Sequence, residues 1–233
     1  GHLAQGQAEG TQWWGGLRAD MQRYGHGDTF DGMAPVGLFG VDWVREGHAL
    51  GLFAGYGRMD ADFGNSAGDF TLGEATFGGF VAFNDGPAWA NAQLSYSWLD
   101  YDVQRQVNLG PASRIHGADT TGENLTAAFL AGWEFGADNA LRHGPVLGMT
   151  WQDISIDGYA EAGGGSTALS YADQDASSLV GRVGWQLRLE GDRLQPYARL
   201  TWDHEFEKPS QASATLQSLP VAGSFSVPGL GLE

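Results

Sequence analysis

Between Ala88 and Val103 the chain reads AWANAQLSYSWLDYDV, two sequences interleaved. Ala90, Ala92, Leu94, Tyr96 and Trp98 form an apolar series, and Asn91, Gln93, Ser95 and Ser97 a polar one. Alternation of period two predicts a β-strand with one apolar and one polar face. The pattern recurs in TQWWGGLRADMQRY, VGLFGVDWV, HALGLFAGYGRM, EATFGGFVAFN (less cleanly), NLTAAFLAGWEF, GPVLGMTWQ, SSLVGRVGWQLRLE and LQPYARLTWDHEF. About nine strands follow, with a tenth, weaker one in ASATLQS. Most reach the roughly 9–11 residues that cross a bilayer at barrel tilt, where globular strands run about 5–6.

The connections alternate as well. REGH (45–48), NDGP (84–87), GADNA (136–140) and EGDR (190–193) carry hairpin-turn chemistry. Between them stand longer polar stretches: GHGDTFDG, DADFGNSAGDFTLG, NLGPASRIHGADTTGE and DGYAEAGGGSTALSYADQD. Short turns at one end and long loops at the other predict an antiparallel outer-membrane β-barrel, turns periplasmic and loops extracellular. No repeat beyond this hairpin rhythm and no linker divides the chain, so it reads as one domain.

The polar faces separate this reading from a soluble sandwich, whose outer face is rich in Lys and Glu. Here they hold Asn, Gln, Ser, Thr, Gly and single charges, which suits a hydrated lumen. Arg18, Arg182, Arg188 and Arg199 are its expected cations, and Asp20, Asp42, Glu134, Asp203 and Glu205 its anions. Asn91, Gln93 and Gln186 are further expected lining residues. Arginine bridges carboxylates bidentately and so braces such a space. On the apolar faces Trp13, Trp43, Trp98, Trp133, Trp151, Trp185 and Trp202 resemble an aromatic girdle. Past Trp98 the parity breaks: Leu99, Tyr101 and Val103 fall on the polar series, Asp100 and Asp102 on the apolar one. Trp98 is therefore read as the outer membrane boundary, with the strand continuing into an extracellular hairpin and a bulge as one route past the break.

Composition narrows the field. Twelve Lys+Arg against 28 Asp+Glu give a net charge of -16, which disfavours nucleic acid. There is no cysteine, so disulfide, zinc-thiolate and Cys-nucleophile chemistry drop out. No run of about 18 apolar residues forms a transmembrane helix, which leaves barrel strands open. The start GHLAQGQAEG has no basic end or apolar run, and the leading Gly-His and final Leu-Glu read as vector scars on a fragment of something longer.

Few motifs carry chemistry. Gly64-Asn65-Ser66-Ala67-Gly68 matches G-x-S-x-G but sits in a polar loop with no helix to follow, so it reads as a surface loop. Asp60, Asp62, Asn65 and Asp69 miss the Ca²⁺-loop register, because the Gly falls at position 5; a weak surface cation site is the most they suggest, as for Asp173 and Asp175. The six histidines show no zinc spacing. His26, His116 and Asp119 fall in expected outer loops, as a barrel protease of the omptin kind requires, but form no constellation by spacing.

The phrases LRADMQRY, DGMAPVGLFGVDW, GHALGLFAGYGRMDADFGNS and LSYSWLDYDVQRQVNLGPASR, continued by RHGPVLGMTWQ, STALSYADQDASSLVGRVGWQ and LQPYARLTWDHEF, resemble the translocator β-domain of autotransporters. The likeness covers roughly residues 10 to 230 and is nearest to outer-membrane esterase autotransporters with a GDSL-type passenger. It implies a twelve-stranded barrel in the Gram-negative outer membrane, filled by a linker helix that leads to the passenger. It also implies partnership with the barrel-assembly machinery and catalysis confined to the passenger, whose Ser-centred block is not in this sequence. Residues 1–9 are expected to be a remnant of linker or tag, and 10–233 the barrel domain. Against the family pattern the last strands are missing, so closure is expected to be poor or to give a smaller, ten-stranded barrel.

The expectation is thus a non-catalytic translocator and anchor, with no cofactor or metal. Its partners would be its own passenger and linker helix, outer-membrane lipid and the assembly machinery. The alternatives are a barrel enzyme with a loop active site and a soluble ligand-binding β-domain.

Overall fold

The computed structural model describes residues 9–24, 30–63, 67–110, 112–136, 140–163, 165–190, 195–207, 211–218 and 224–228. Nine long strands form one antiparallel sheet in the order β1 (Gly10–Tyr24), β2 (Phe30–Arg45), β3 (His48–Phe63), β4 (Gly68–Asp85), β5 (Ala88–Leu109), β6 (Ala112–Trp133), β7 (Leu141–Ile156), β10 (Gln174–Leu189) and β11 (Tyr197–Glu205). Every neighbour in the sheet is also the next long strand in sequence, the up-and-down topology that hairpin turns impose. Among the described residues no ladder joins β11 to β1, so the sheet is not closed. A second sheet, in the order β13 (Ser224–Pro228), β12 (Gln211–Leu216), β9 (Leu169–Tyr171), β8 (Tyr159–Ala160), gathers segments at the loop end.

At the turn end, Arg45 pairs with His48 and Asp85 with Ala88, leaving two-residue tips at Glu46-Gly47 and Gly86-Pro87. Gly47 and Gly86 stand at φ 69° and 57°, a left-handed backbone that glycine adopts without strain. The loop end departs from the sequence reading. NLGPASRIHGADTTGE is not a loop: β5 and β6 run 22 residues each through it. Nor is there a bulge, since the β5–β6 register is unbroken from Ala88↔Trp133 to Leu109↔Ala112. Alternation vanishes from the sequence there because the environment changes, not the strand. ASATLQS does form a strand, β12, but in the second sheet.

Burial is inverted relative to a water-soluble sheet. Leu94 is 56% exposed and Leu200 81%, whereas Asp42, Ser97 and Gln186 are buried. The polar face is concave. Arg199 of β11 lies 5.9 Å from the ring of Trp89 on β5. Four strand spacings separate them, about 19 Å on a flat sheet, so the sheet must curl toward this face to bring the side chains together.

The concave face also explains its aromatic residues. Trp14 lies opposite Gly40, Phe53 opposite Gly78, Phe80 opposite Gly51 and Trp89 opposite Gly132. A Cβ at any of these glycines would stand within 2.3–2.5 Å of the facing ring. Each ring therefore lies flat over the glycine across from it and covers backbone without filling the concavity. This is why EATFGGFVAFN alternates poorly: Phe80 faces inward over a glycine. Gly132→Val, which pushes the Trp89 ring off its seat, is expected to destabilise the folded domain by about 1–3 kcal/mol, read as a lower urea midpoint for unfolding in lipid vesicles.

Candidate functional site

The concave face carries its densest polar network at the turn end. Backbone pairing sets Gln186 beside Arg199, and Arg188 beside Arg142. Glu134, just past β6, receives hydrogen bonds from Arg188 Nη2 (2.9 Å) and Gln186 Nε2 (3.2 Å), and lies 4.0 Å from Arg142. Arg142 pairs with Glu190 at 2.9 Å. Arg199 Nη2 donates to Gln186 Oε1 at 3.0 Å and covers the rings of Trp89 and Tyr197. Gln186 is thus donor to Glu134 and acceptor from Arg199, which fits its 5% exposure. The Trp89 indole N–H, shielded from solvent, has no hydrogen-bond partner among the described residues.

Higher on the same face Arg182 grips Asp203 bidentately, with Nε–Oδ1 at 2.8 Å. Glu205 accepts from the Ser178 hydroxyl and the Leu179 N–H. Asp42 accepts from Trp14 Nε1 at 2.7 Å rather than from an arginine. Asn91 pairs with Leu130 and Gln93 with Ala128, both on concave positions. Arg18 stands opposite Val36 on the concave parity, and Asp20 is placed by backbone register alone, opposite Ala34. The expected residues so fall into separate groups rather than one chain of charges. Sequence reading missed Arg142, Glu190 and Trp89; carrying the alternation of GPVLGMTWQ back two residues brings in Arg142.

The seven expected girdle tryptophans all share the outward parity. Trp13, Trp43, Trp133 and Trp185 lie within four residues of the turn ends of their strands, Trp202 stands five residues up β11 from Tyr197, and Trp98 and Trp151 stand ten residues up β5 and β7 from their starts at Ala88 and Leu141. Trp185 stacks on His143 (5.8 Å) and Phe135 (6.4 Å), and Trp13 on Phe39 (5.5 Å).

Past Trp98 the inward face is covered by protein. Leu99 is buried, while Asp100 and Asp102 are exposed on the outward side. Against the inward face of β5 and β6 lies the 159–171 segment. Arg105 holds Glu161 with two hydrogen bonds of 2.6 Å and the Thr167 carbonyl with a third at 2.9 Å. Glu161 also accepts from the Leu169 N–H (2.9 Å), and Gln217 Nε2 donates to the carbonyls of Glu161 and Leu169. Burial alone would raise the Glu161 carboxyl, but the Arg105 and Leu169 hydrogen bonds outweigh it and hold the group below its usual range. Burial, with Tyr171 and Glu161 nearby, pushes Tyr159 up to about 12.

This cluster corrects the reading of His116 as a loop residue. It sits inside β6, 1% exposed, with Nε2 2.9 Å from Thr167 Oγ1 and Nδ1 3.3 Å from the Ala162 carbonyl. It packs Ala162 and Thr167 of the loop-end segment onto the sheet. Asp119, likewise in β6, pairs with Asp102 on the outward side. Asp60 is taken by Arg58 and Thr71, and Asp173 by the Gly158 N–H. Among the described residues no group of three or more His, Asp or Glu is placed to hold a metal. His26, Gly64, Asn65 and Ser66 lie outside the described residues.

The profile of the autotransporter β-domain family matches residues 13–233. The chain belongs to the autotransporter β-domain family. It is 29% identical over 221 residues to esterase EstA of Pseudomonas aeruginosa, covering 92% of this chain and 34% of that protein. A Pseudomonas putida protein of the trpE–trpG intergenic region is 32% identical over 192 residues, 80% of this chain and 32% of its own length. This chain thus spans about a third of these relatives. The translocator domain of NalP from Neisseria meningitidis superposes with a TM-score of 0.71 at 12% identity, over 91% of this chain and 78% of that one. The β-domain of the Bordetella autotransporter BrkA gives 0.63 at 19%, over 96% and 88%. Autotransporter β-domains are outer-membrane barrels, so this domain is a translocator and not a catalytic unit, and the loop-enzyme and soluble-domain alternatives give way.

Because folding depresses the Glu161 pKa, its ionised form contributes stability that is complete above the ordinary carboxylate range and is lost as pH falls through the depressed value. Amide-exchange protection at Ala162 and Leu169 is expected to follow that curve. In Glu161→Gln the pH dependence should flatten, with protection reduced by on the order of 3 kcal/mol, as for a broken buried ion pair.

Proposed function

We propose that this domain, from residue 10 onward, anchors and exports an N-terminal esterase passenger, with the turn end periplasmic and the loop end outside the cell. The concave face is the wall of the export passage, and its polar groups hold the linker segment that leads to the passenger. The observation that carries this reading is the inverted burial, with large apolar side chains outward and a braced polar surface inward. The esterase assignment follows from the likeness to EstA.

The linker contacts are Arg18, Asp20, Asp42, Asn91, Gln93, Glu134, Arg182, Gln186, Arg188, Arg199, Asp203 and Glu205. A peptide segment offers both N–H and C=O groups, and this surface offers carboxylates, amides and guanidinium donors in alternation. The Trp89 indole N–H, without a hydrogen-bond partner among the described residues, is a further donor available to it. The barrel-assembly machinery completes the partnership by inserting the sheet in the membrane.

The tryptophans support a span of the right height. Trp133 pairs with Ala88, and Trp98 lies ten residues further up β5. At about 3.4 Å per residue and a tilt near 40° that distance gives roughly 26 Å of height, close to the ~25 Å apolar band of such barrels.

Two measurements test the reading. The first substitutes Leu94→Arg on the outward face and Gln93→Arg on the concave face. In lipid vesicles the first is expected to cost about 2–4 kcal/mol and the second under 1 kcal/mol; equal penalties would deny the two faces their assigned media. The second uses the absence of cysteine from the domain. In the full-length protein on intact cells, Ser113→Cys, near the β5–β6 tip, should react with a membrane-impermeant maleimide and Asp85→Cys only after permeabilisation. The opposite labelling inverts the orientation, and cells displaying the protein without hydrolysing a short-chain p-nitrophenyl ester remove the esterase assignment.

A further inference from the structure

The outward face has a depression of about 550 Å³ near the turn end. Its floor is Ala90 and Ala92 of β5, where the neighbouring strands carry Val81, Phe83 and Phe129 and the next strand beyond, β3, carries Leu50. Those four side chains project as walls, and two successive outward alanines leave the space between them open. In a membrane such a gap is closed by an alkyl chain, because an empty one forfeits dispersion contacts along its whole lining.

The rim of the depression is basic. Arg45 and His48, cross-strand partners at the β2–β3 turn, line it at the turn end. Arg45 is exposed, and no described residue pairs with its guanidinium. It stands two residues beyond Trp43, about 7 Å further along the strand, which is headgroup depth if the tryptophan marks the interface. The His48 ring is fixed by Nδ1 2.8 Å from the Glu46 carbonyl and by edge-on contact with Phe83 at 5.2 Å. The placement is notable in a chain of only 12 Lys+Arg, where Arg58, Arg105, Arg142, Arg182 and Arg188 are all committed to carboxylates. Glu46 and Asp85 sit at the two turns beside it.

We propose that this depression is a binding site for one anionic glycerophospholipid, with an acyl chain across Ala90 and Ala92 and the phosphate held by Arg45 beside His48. The inference rests on the outer-membrane reading and its orientation, which puts the turn end in the phospholipid leaflet.

The test uses the full-length protein, purified in mild detergent, exposed to equimolar phosphatidylglycerol and phosphatidylethanolamine, and examined by native mass spectrometry. The wild type should retain one phosphatidylglycerol in preference to phosphatidylethanolamine. Arg45→Ala should lower that preference about fivefold, one surface cation's ordinary share of attraction to anionic lipid, and Arg45→Lys should keep most of it. Ala92→Phe, which fills the floor, should lose both lipids. Heat-modifiable migration in gels certifies each variant as folded, and Ala90→Phe replaces Ala92→Phe if that variant misfolds. Unchanged retention in Arg45→Ala and in the floor variant overturns the site. Lipopolysaccharide carried from the cells in place of phospholipid overturns it as well, and the intact-cell labelling of Ser113→Cys and Asp85→Cys reports separately whether the orientation itself has failed.

Discussion

Hydrocarbon offers no hydrogen bonds, so every backbone N–H and C=O that crosses it must find a partner within the protein. An antiparallel sheet meets this demand strand by strand, which is why the long ladders from β1 to β11 persist although almost none of their large apolar side chains is buried by protein. The other features follow from that arrangement. With lipid on the outward face, apolar bulk is free to stand exposed, and the inward face must keep its shape without an apolar core.

Two devices hold the inward face. Aromatic rings laid over glycines on adjacent strands give a smooth wall with little intrusion, and they account for the inward-facing Trp14 and Trp89 and for the glycines opposite them. Arginine–carboxylate pairs tie strands across the concavity. Arg182–Asp203 joins neighbours β10 and β11, while Glu134 reaches from the end of β6 past β7 to Arg188 and Gln186 on β10. The second kind of tie is the more informative, because it spans an intervening strand and so fixes curvature as well as register.

The membrane part of this fold was legible in sequence because lipid imposes a strict rule on alternate residues. Strand positions and the parity of the outward tryptophans and inward charges came from period two, and the turns from their Gly, Asn and Asp residues. The loop end was not legible, since strands above the membrane obey no such rule, and β5 and β6 looked like loops from Asn108 to Glu123. Nor does spacing reveal that Arg105 meets Glu161, 56 residues on. That contact depends on how the 159–171 segment folds back, which no local pattern encodes. Trp14 and Trp89 were invisible for another reason: an aromatic residue on a polar face looks like an error until the glycine opposite is known.

Trp98 is where the two regimes meet. Below it on β5, Tyr96, Leu94 and Ala92 face outward; above it, Asp100 and Asp102 do. Asp102 stands directly across from Asp119, and Trp98 from Glu123. Like charges opposite one another on a sheet repel, and in hydrocarbon a facing pair of aspartates would be prohibitive. In water the high dielectric cuts the repulsion of two charges about 5 Å apart to on the order of 1 kcal/mol, so the pair suits water and not hydrocarbon. Inward, the same strand buries Leu99 and gives Arg105 to Glu161. One uninterrupted strand therefore carries apolar residues outward and a polar concavity inward on the turn side of Trp98, then aspartates outward and packed protein inward beyond it. The exchange of faces needs no change in backbone, for the β5–β6 register runs through it unbroken.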